Sequence, residues 1–85
     1  MNRMKRNQRL RAKLLAENPC CRYCGTELHQ RRATLDHVVP RSRGGSDGIR
    51  NLALTCRFCN MAKAARTPEE LFLWACRIVA IAQGI

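Results

Sequence analysis

The chain has 85 residues, with 16 Lys and Arg against 6 Asp and Glu and a formal charge of +10. So short a chain forms one domain, and apolar burial alone rarely offsets an ordering entropy of roughly 1.5 kcal/mol per residue, so a staple is expected. The charge favours a phosphate-rich partner, nucleic acid, bound quickly and in a salt-sensitive way, and the basic, polar start from Met1 to Arg6 speaks against a secretory leader.

Residues 1–19 read as a basic N-terminal helix, with Arg3, Lys5, Arg6, Arg9, Arg11 and Lys13 beside a partial apolar stripe of Leu10, Leu14 and Leu15. Asn18-Pro19 ends it, because proline disfavours a helical residue before it. The segment serves equally as an arm that tracks phosphates or as a solvated helix packed by three leucines, and both can hold at once. Cys21-Arg22-Tyr23-Cys24-Gly25 is a tight knuckle, with Gly25 free to take a positive φ. Residues 26–33 are a polar connection, in which His29 is an exposed loop residue rather than a ligand. Thr34 to Val39 is a short β-rich run closed by Pro40. A glycine-rich loop, Arg41 to Gly48, follows. Asn51 to Thr55 alternates as the returning strand and delivers a second knuckle, Cys56-Arg57-Phe58-Cys59. From Arg57 to about Ala65 the residues suit a short helix. Thr67-Pro68-Glu69-Glu70 opens the last one with an N-cap, a first-turn proline and a capping box. Within 67–85, Leu71 to Ala82 is apolar nearly all round, broken only by Arg77, so it wants burial on more than one face. It is too short to span a bilayer, and no membrane association is expected. Core packing is expected to cover part of this C-terminal helix, with Trp74 and Cys76 in the core, and a homodimer contact could cover the rest.

The two Cys-x-x-Cys pairs supply four thiolates, the tetrahedral soft set that zinc prefers. Six cysteines with these spacings fit metal knuckles in a reducing, cytoplasmic compartment better than a secreted disulfide scaffold. The structural zinc is assigned to Cys21, Cys24, Cys56 and Cys59. Cys20 competes with Cys21, since Cys20-x-x-x-Cys24 is also geometrically possible; Gly25 after Cys24 favours Cys21. Such an ion contributes on the order of 10 kcal/mol, which makes it a condition of folding.

Between the knuckles, Asp36 is a hard oxygen ligand suited to Mg²⁺ or Mn²⁺. His37 carries an imidazole, whose ordinary pKa of about 6.5 suits it to take a proton from water. Strict strand alternation would send these neighbours to opposite faces, so a shared site needs the strand to end or bend there. On a helix Asn60 and Lys63 share a face, which would bring Lys63 to a phosphate. Arg41, Arg43 and Arg66 are further phosphate candidates by charge and proximity.

Taken together, Cys21-x-x-Cys24-Gly25, Leu35-Asp36-His37-Val38-Val39-Pro40-Arg41-Ser42-x-Gly44-Gly45, Asn51-Leu52, Cys56-x-x-Cys59-Asn60-x-x-Lys63 and Thr67-Pro68-Glu69-Glu70 resemble the HNH endonuclease family. The resemblance implies an α+β fold, a small ββα-metal core (20–66) stapled by the four-cysteine zinc site and flanked by N- and C-terminal helices. It implies His37 as general base, Asn51 fixing the loop near His37, and Asp36 with Asn60 holding one catalytic divalent ion. Asn60 stands where many relatives have histidine, making this an H-N-N variant, and its harder oxygen favours Mg²⁺ or Mn²⁺. The implied function is a metal-dependent DNA endonuclease that nicks or cuts both strands. Small stand-alone members occur in phages and bacteria, some beside DNA-packaging or restriction machinery. A different class, a zinc-stabilised nucleic-acid-binding module that does not cut, fits charge and knuckles equally; only the set Asp36, His37, Asn51 and Asn60 separates the two.

Overall fold

Asn2 starts the first helix by accepting a hydrogen bond from the Lys5 amide at 2.9 Å, and Asn18 closes it with its amide on the Leu14 carbonyl at 2.9 Å. The computed structural model describes residues 2–84; Met1 and Ile85, the outer ends of the two expected terminal segments, lie outside them. The element order is α1 (Arg3–Glu17), β1 (Thr34–His37), β2 (Leu52–Thr55), α2 (Arg57–Lys63) and α3 (Pro68–Ala82). Two single 3-10 turns, Arg41–Arg43 and Ile49–Asn51, lie in the loop that joins the strands.

The strands pair antiparallel, with Leu35 opposite Leu54, Asp36 opposite Ala53 and His37 opposite Leu52. All four β2 residues are buried, so this strand packs on both faces. α1 contacts both strands and α2 contacts β1, which gives the β-β-α unit a helix against each strand. Cys21, Leu28, Ala33, Leu54 and Cys59 form the core, with Leu14 and Leu15 of α1 packed against it. The leucine stripe of α1 is therefore its docking face, while Arg3, Lys5, Arg6, Arg9 and Lys13 remain exposed.

Helix α2 begins where a strand-like Cys56 (φ −74°, ψ 160°) turns its sulfur onto the Cys59 amide as N-cap. It ends at Lys63, two residues earlier than expected, because Ala64 takes φ +49° and points the chain away. The capping box of α3 forms as expected: Thr67 accepts from the Glu70 amide, and the Glu70 carboxylate accepts from the Thr67 amide at 2.9 Å.

The expected burial of α3 is not found. It contributes no buried residue: Trp74 is 37% exposed, Phe72 68% and Ile81 72%, and Cys76 is exposed as well. The reason is geometric, since the main neighbour of α3 is the short α2, and one two-turn helix covers a single stripe of a helix that is apolar nearly all round. No helix among the described residues is long and apolar enough to cross a membrane.

Candidate active site

The knuckles bring four sulfurs together. Cys21, Cys24, Cys56 and Cys59 place their Sγ atoms within 4.8 Å of one another, and Cys24 and Cys56 are 3.8 Å apart. A tetrahedral ion with bonds of about 2.3 Å to sulfur spaces its ligands by about 3.8 Å, so the four cysteines are positioned to bind a metal ion. Cys20 is outside the cluster; it forms an isolated bridge with Glu27. The knuckle itself closes through the Cys21 amide on the Thr26 carbonyl and the Gly25 amide on the Cys21 carbonyl, with Gly25 at φ +77°.

The thiols respond unequally to this crowding. Burial raises Cys21, but backbone amides of Cys24, Cys56 and Tyr23 outweigh it and bring the thiol below its usual value. The Thr26 hydroxyl, 3.1 Å from its sulfur, is the chief cause that pulls Cys24 down to about 6. Cys59 goes the other way: burial, then the neighbouring sulfurs, push its thiol well above the usual range. Four thiolates in one place need a cation among them.

On the other side of α2, Asp36, His37, Arg41 and Asn60 line one open cavity of about 280 Å³ together with Pro40 and Ala64. β1 supplies the first two residues and stops at His37, which meets the condition that the strand end there. Asp36 is 5% exposed and engaged on both oxygens: the Tyr23 hydroxyl donates to Oδ2 at 2.9 Å and the Lys63 ammonium to Oδ1 at 3.3 Å. Burial, then the bond to Asp36 and its charge, push the Tyr23 hydroxyl above its usual range, so it stays a donor. Each carboxylate oxygen has two acceptor positions, so Asp36 retains one on each for a cation. With the Asn60 amide oxygen this makes a hard donor set on one cavity wall.

Asn51 holds the intervening loop at three points. Its amide nitrogen donates to the carbonyls of Val39 (3.1 Å) and Ser46 (2.8 Å), and its oxygen accepts from the Val39 amide at 2.9 Å. Gly45 lies so close that a Cβ there would sit 1.7 Å from the Val39 carbonyl oxygen, which only glycine allows. The same loop presents Asp47, whose Oδ1 is 2.8 Å from His37 Nε2. Nothing in the spacing marked Asp47 or Tyr23, because both contacts cross loops that periodicity does not describe.

The candidate phosphate-binding cations are engaged within the chain. Arg41 Nε is 3.5 Å from Asp47, Arg43 pairs with Glu70, and Arg66 stacks 4.8 Å over the Trp74 ring while donating to the Ala62 carbonyl. Lys63 departs from its expected place at a phosphate. It is fully buried, with its ammonium on Asp36 and on the His37 carbonyl at 2.9 Å. The physical reason is its position four residues after the buried Cys59, which puts it on the inward face of α2.

The HNH endonuclease family profile matches residues 21–66, which contain both knuckles and the cavity residues. The CRISPR-associated endonuclease Cas9 of Actinomyces naeslundii is 39% identical over 59 residues, covering 68% of this chain and 5% of that protein. That of Corynebacterium diphtheriae is 38% identical over 60 residues, covering 69% and 5%. The crystal structure of the Type II-C Cas9 enzyme from Actinomyces naeslundii superposes with a TM-score of 0.67 at 31% identity, over 73% of this chain and 7% of that one. The chain thus spans about one-twentieth of the length of these curated relatives. With the profile lying over more than half of its residues, the chain belongs to the HNH endonuclease family.

Proposed function

We propose that the chain hydrolyses phosphodiester bonds in DNA, with His37 as general base and one divalent ion, Mg²⁺ or Mn²⁺, held by Asp36 and Asn60. The observation that carries this reading is the single cavity lined by Asp36, His37 and Asn60. A phosphodiester repels nucleophiles by its own charge, so the chemistry needs a water made anionic at the moment of attack and a counter-charge on the phosphate. The His37 ring takes a proton from water; the resulting hydroxide oxygen bonds to phosphorus as the bond to the 3′ oxygen breaks, and that oxygen leaves with a proton from solvent. The products carry a 5′ phosphate and a 3′ hydroxyl. The ion, when bound, neutralises charge on the scissile phosphate and the leaving oxygen.

Within this reading Lys63 and Tyr23 hold Asp36 at the cavity wall, and Asn51 holds the loop beside His37. Zinc in the four cysteines keeps the two knuckles together and has no part in the chemistry. Arg41 and Arg43, both exposed, exchange their carboxylate partners for DNA phosphates, and Arg66, in the link between α2 and α3, adds to the positive charge. The charge of +10 supports a polyanionic substrate.

Supercoiled-plasmid cleavage tests the reading, with Mg²⁺ or Mn²⁺ restored after mild chelation that leaves the thiolate-bound ion in place. Metal-dependent nicking by wild type, lost about a hundredfold or more in His37→Ala at unchanged metal content, is the expected result. Folded, metal-loaded protein that binds the plasmid without cutting it under either ion would move the chain to the class of binding modules. Cutting confined to an RNA substrate would correct the choice of DNA.

A further inference from the structure

We infer that Asp47 is a positioning residue for the general base: its carboxylate holds the Nε2–H of His37 and leaves Nδ1 as the nitrogen that faces water. This rests on His37 being the base in the proposed reaction. The geometry is direct, since His37 Nε2 and Asp47 Oδ1 are 2.8 Å apart. A carboxylate only accepts, so the shared proton belongs to Nε2 and the neutral ring keeps its lone pair on Nδ1. Among the described residues Nδ1 has no protein partner. The hydrogen bond to His37, ahead of the Arg41 charge, keeps the Asp47 carboxyl below its usual value, in agreement with an ionised acceptor.

Asp47 is itself fixed from several sides. The Arg6 guanidinium donates to its backbone carbonyl at 2.7 Å, reaching across from α1. Arg41 Nε lies 3.5 Å from the same Oδ1. Asn51 grips the carbonyl of the preceding residue, Ser46, at 2.8 Å, and the Ser46 hydroxyl accepts from the Gly48 amide at 3.1 Å. Arg6 of α1 and Ser46 and Asn51 of the loop thus aim one carboxylate at one ring nitrogen, and Arg41 adds its charge until DNA is bound. The pair adds little to stability, because Asp47 is 52% exposed and exposed ion pairs are weak. Its consequence is directional: a ring locked in one tautomer and one rotation presents the basic nitrogen without a search.

The path of the proton follows from this arrangement. Water gives its proton to Nδ1, producing an imidazolium whose Nε2–H remains on the Asp47 carboxylate, and Nδ1 later returns the proton to solvent. The carboxylate keeps its charge throughout and stabilises the cation.

The test compares wild type with Asp47→Ala and Asp47→Asn, all loaded with zinc, in two measurements. In steady-state cleavage of a short duplex with Mg²⁺, Asp47→Ala should lose about tenfold or more in kcat with KM within about twofold, and Asp47→Asn, which keeps an oxygen acceptor but neither the charge nor an acceptor-only group, should recover only a small part of the loss. In ¹⁵N-edited NMR of the His37 ring without Mg²⁺, wild type should show one Nε2–H tautomer and Asp47→Ala an exchanging mixture. Cleavage by Asp47→Ala at or above the wild-type rate, or a ring signature that the substitution leaves unchanged, would overturn the inference. If wild type does not cut but the ring loses its single tautomer in Asp47→Ala, the nuclease reading fails while the positioning stands.

Discussion

The Lys63 ammonium lies 3.3 Å from the Asp36 carboxylate, with side-chain exposures of only 1% and 6%. Removing one member of a buried, hydrogen-bonded ion pair strands the other, which costs about 3–5 kcal/mol. Lys63→Ala should therefore lower unfolding stability by that order, measured by urea denaturation of zinc-loaded protein. It also frees the His37 carbonyl, so cleavage should fall even at temperatures where the variant is folded. A variant as stable as wild type would show that the lysine is free to leave its partner, and would return it to the set of phosphate-binding candidates.

Gly45 offers a test confined to the loop. The backbone carbonyl of Val39 occupies the place of any side chain, so Gly45→Ala must push the loop outward and break the grip of Asn51. A displacement of about 1 Å at catalytic groups costs on the order of a hundredfold in rate. The expected outcome is folded protein with full metal content and cleavage reduced by that order. Metal analysis and plasmid nicking on the same sample check it.

Replacing Cys56 with Ser removes one of the four sulfurs and leaves a hydroxyl that can still cap α2, so the substitution isolates the metal ligand. Loss of an ion worth on the order of 10 kcal/mol exceeds the whole stability of so small a domain. Circular dichroism should show the helical signal lost and metal analysis should show no bound ion. Folded, metal-free protein would remove the staple from the account of the fold.

Acid release of the metal should depend on Thr26. The folded Cys24 thiol lies near 6, far below the ordinary 9.0, with the Thr26 hydroxyl as chief cause. A depressed value in the ion-free site means that this sulfur stays a thiolate to lower pH than an ordinary cysteine, so protons compete late for this ligand. Thr26→Val moves the value back up, protons compete sooner, and the pH of half-release should rise. Titration with a zinc-binding dye reads that midpoint directly.

Much of this was readable in the residues alone. The Cys-x-x-Cys pairs, the Thr67-Pro68-Glu69-Glu70 start of α3 and the strand ending near Pro40 are local signals, and each formed where its chemistry demanded. Asn51 reaches the backbone beside His37 as the family resemblance implied. The supports of the site were not readable, since Tyr23, Lys63 and Asp47 reach Asp36 and His37 over separations of 13, 27 and 10 residues. Lys63 did carry an overlooked signal: its spacing from Asn60 suggested the cavity, but its spacing from the buried Cys59 pointed inward. For α3, composition asked for burial that the short α2 lacks the surface to provide.

Cys56 links all of this to metal supply. The same residue directly follows the strand opposite β1, caps the helix that carries Asn60 and offers a sulfur to the ion. If the chain cuts as proposed, one whose four sulfurs are empty lacks the corner that holds Asn60 across from Asp36 and should be inert rather than sluggish. On that reading activity waits on metal supply, and a chain that has not yet taken up its ion leaves the nucleic acid around it intact.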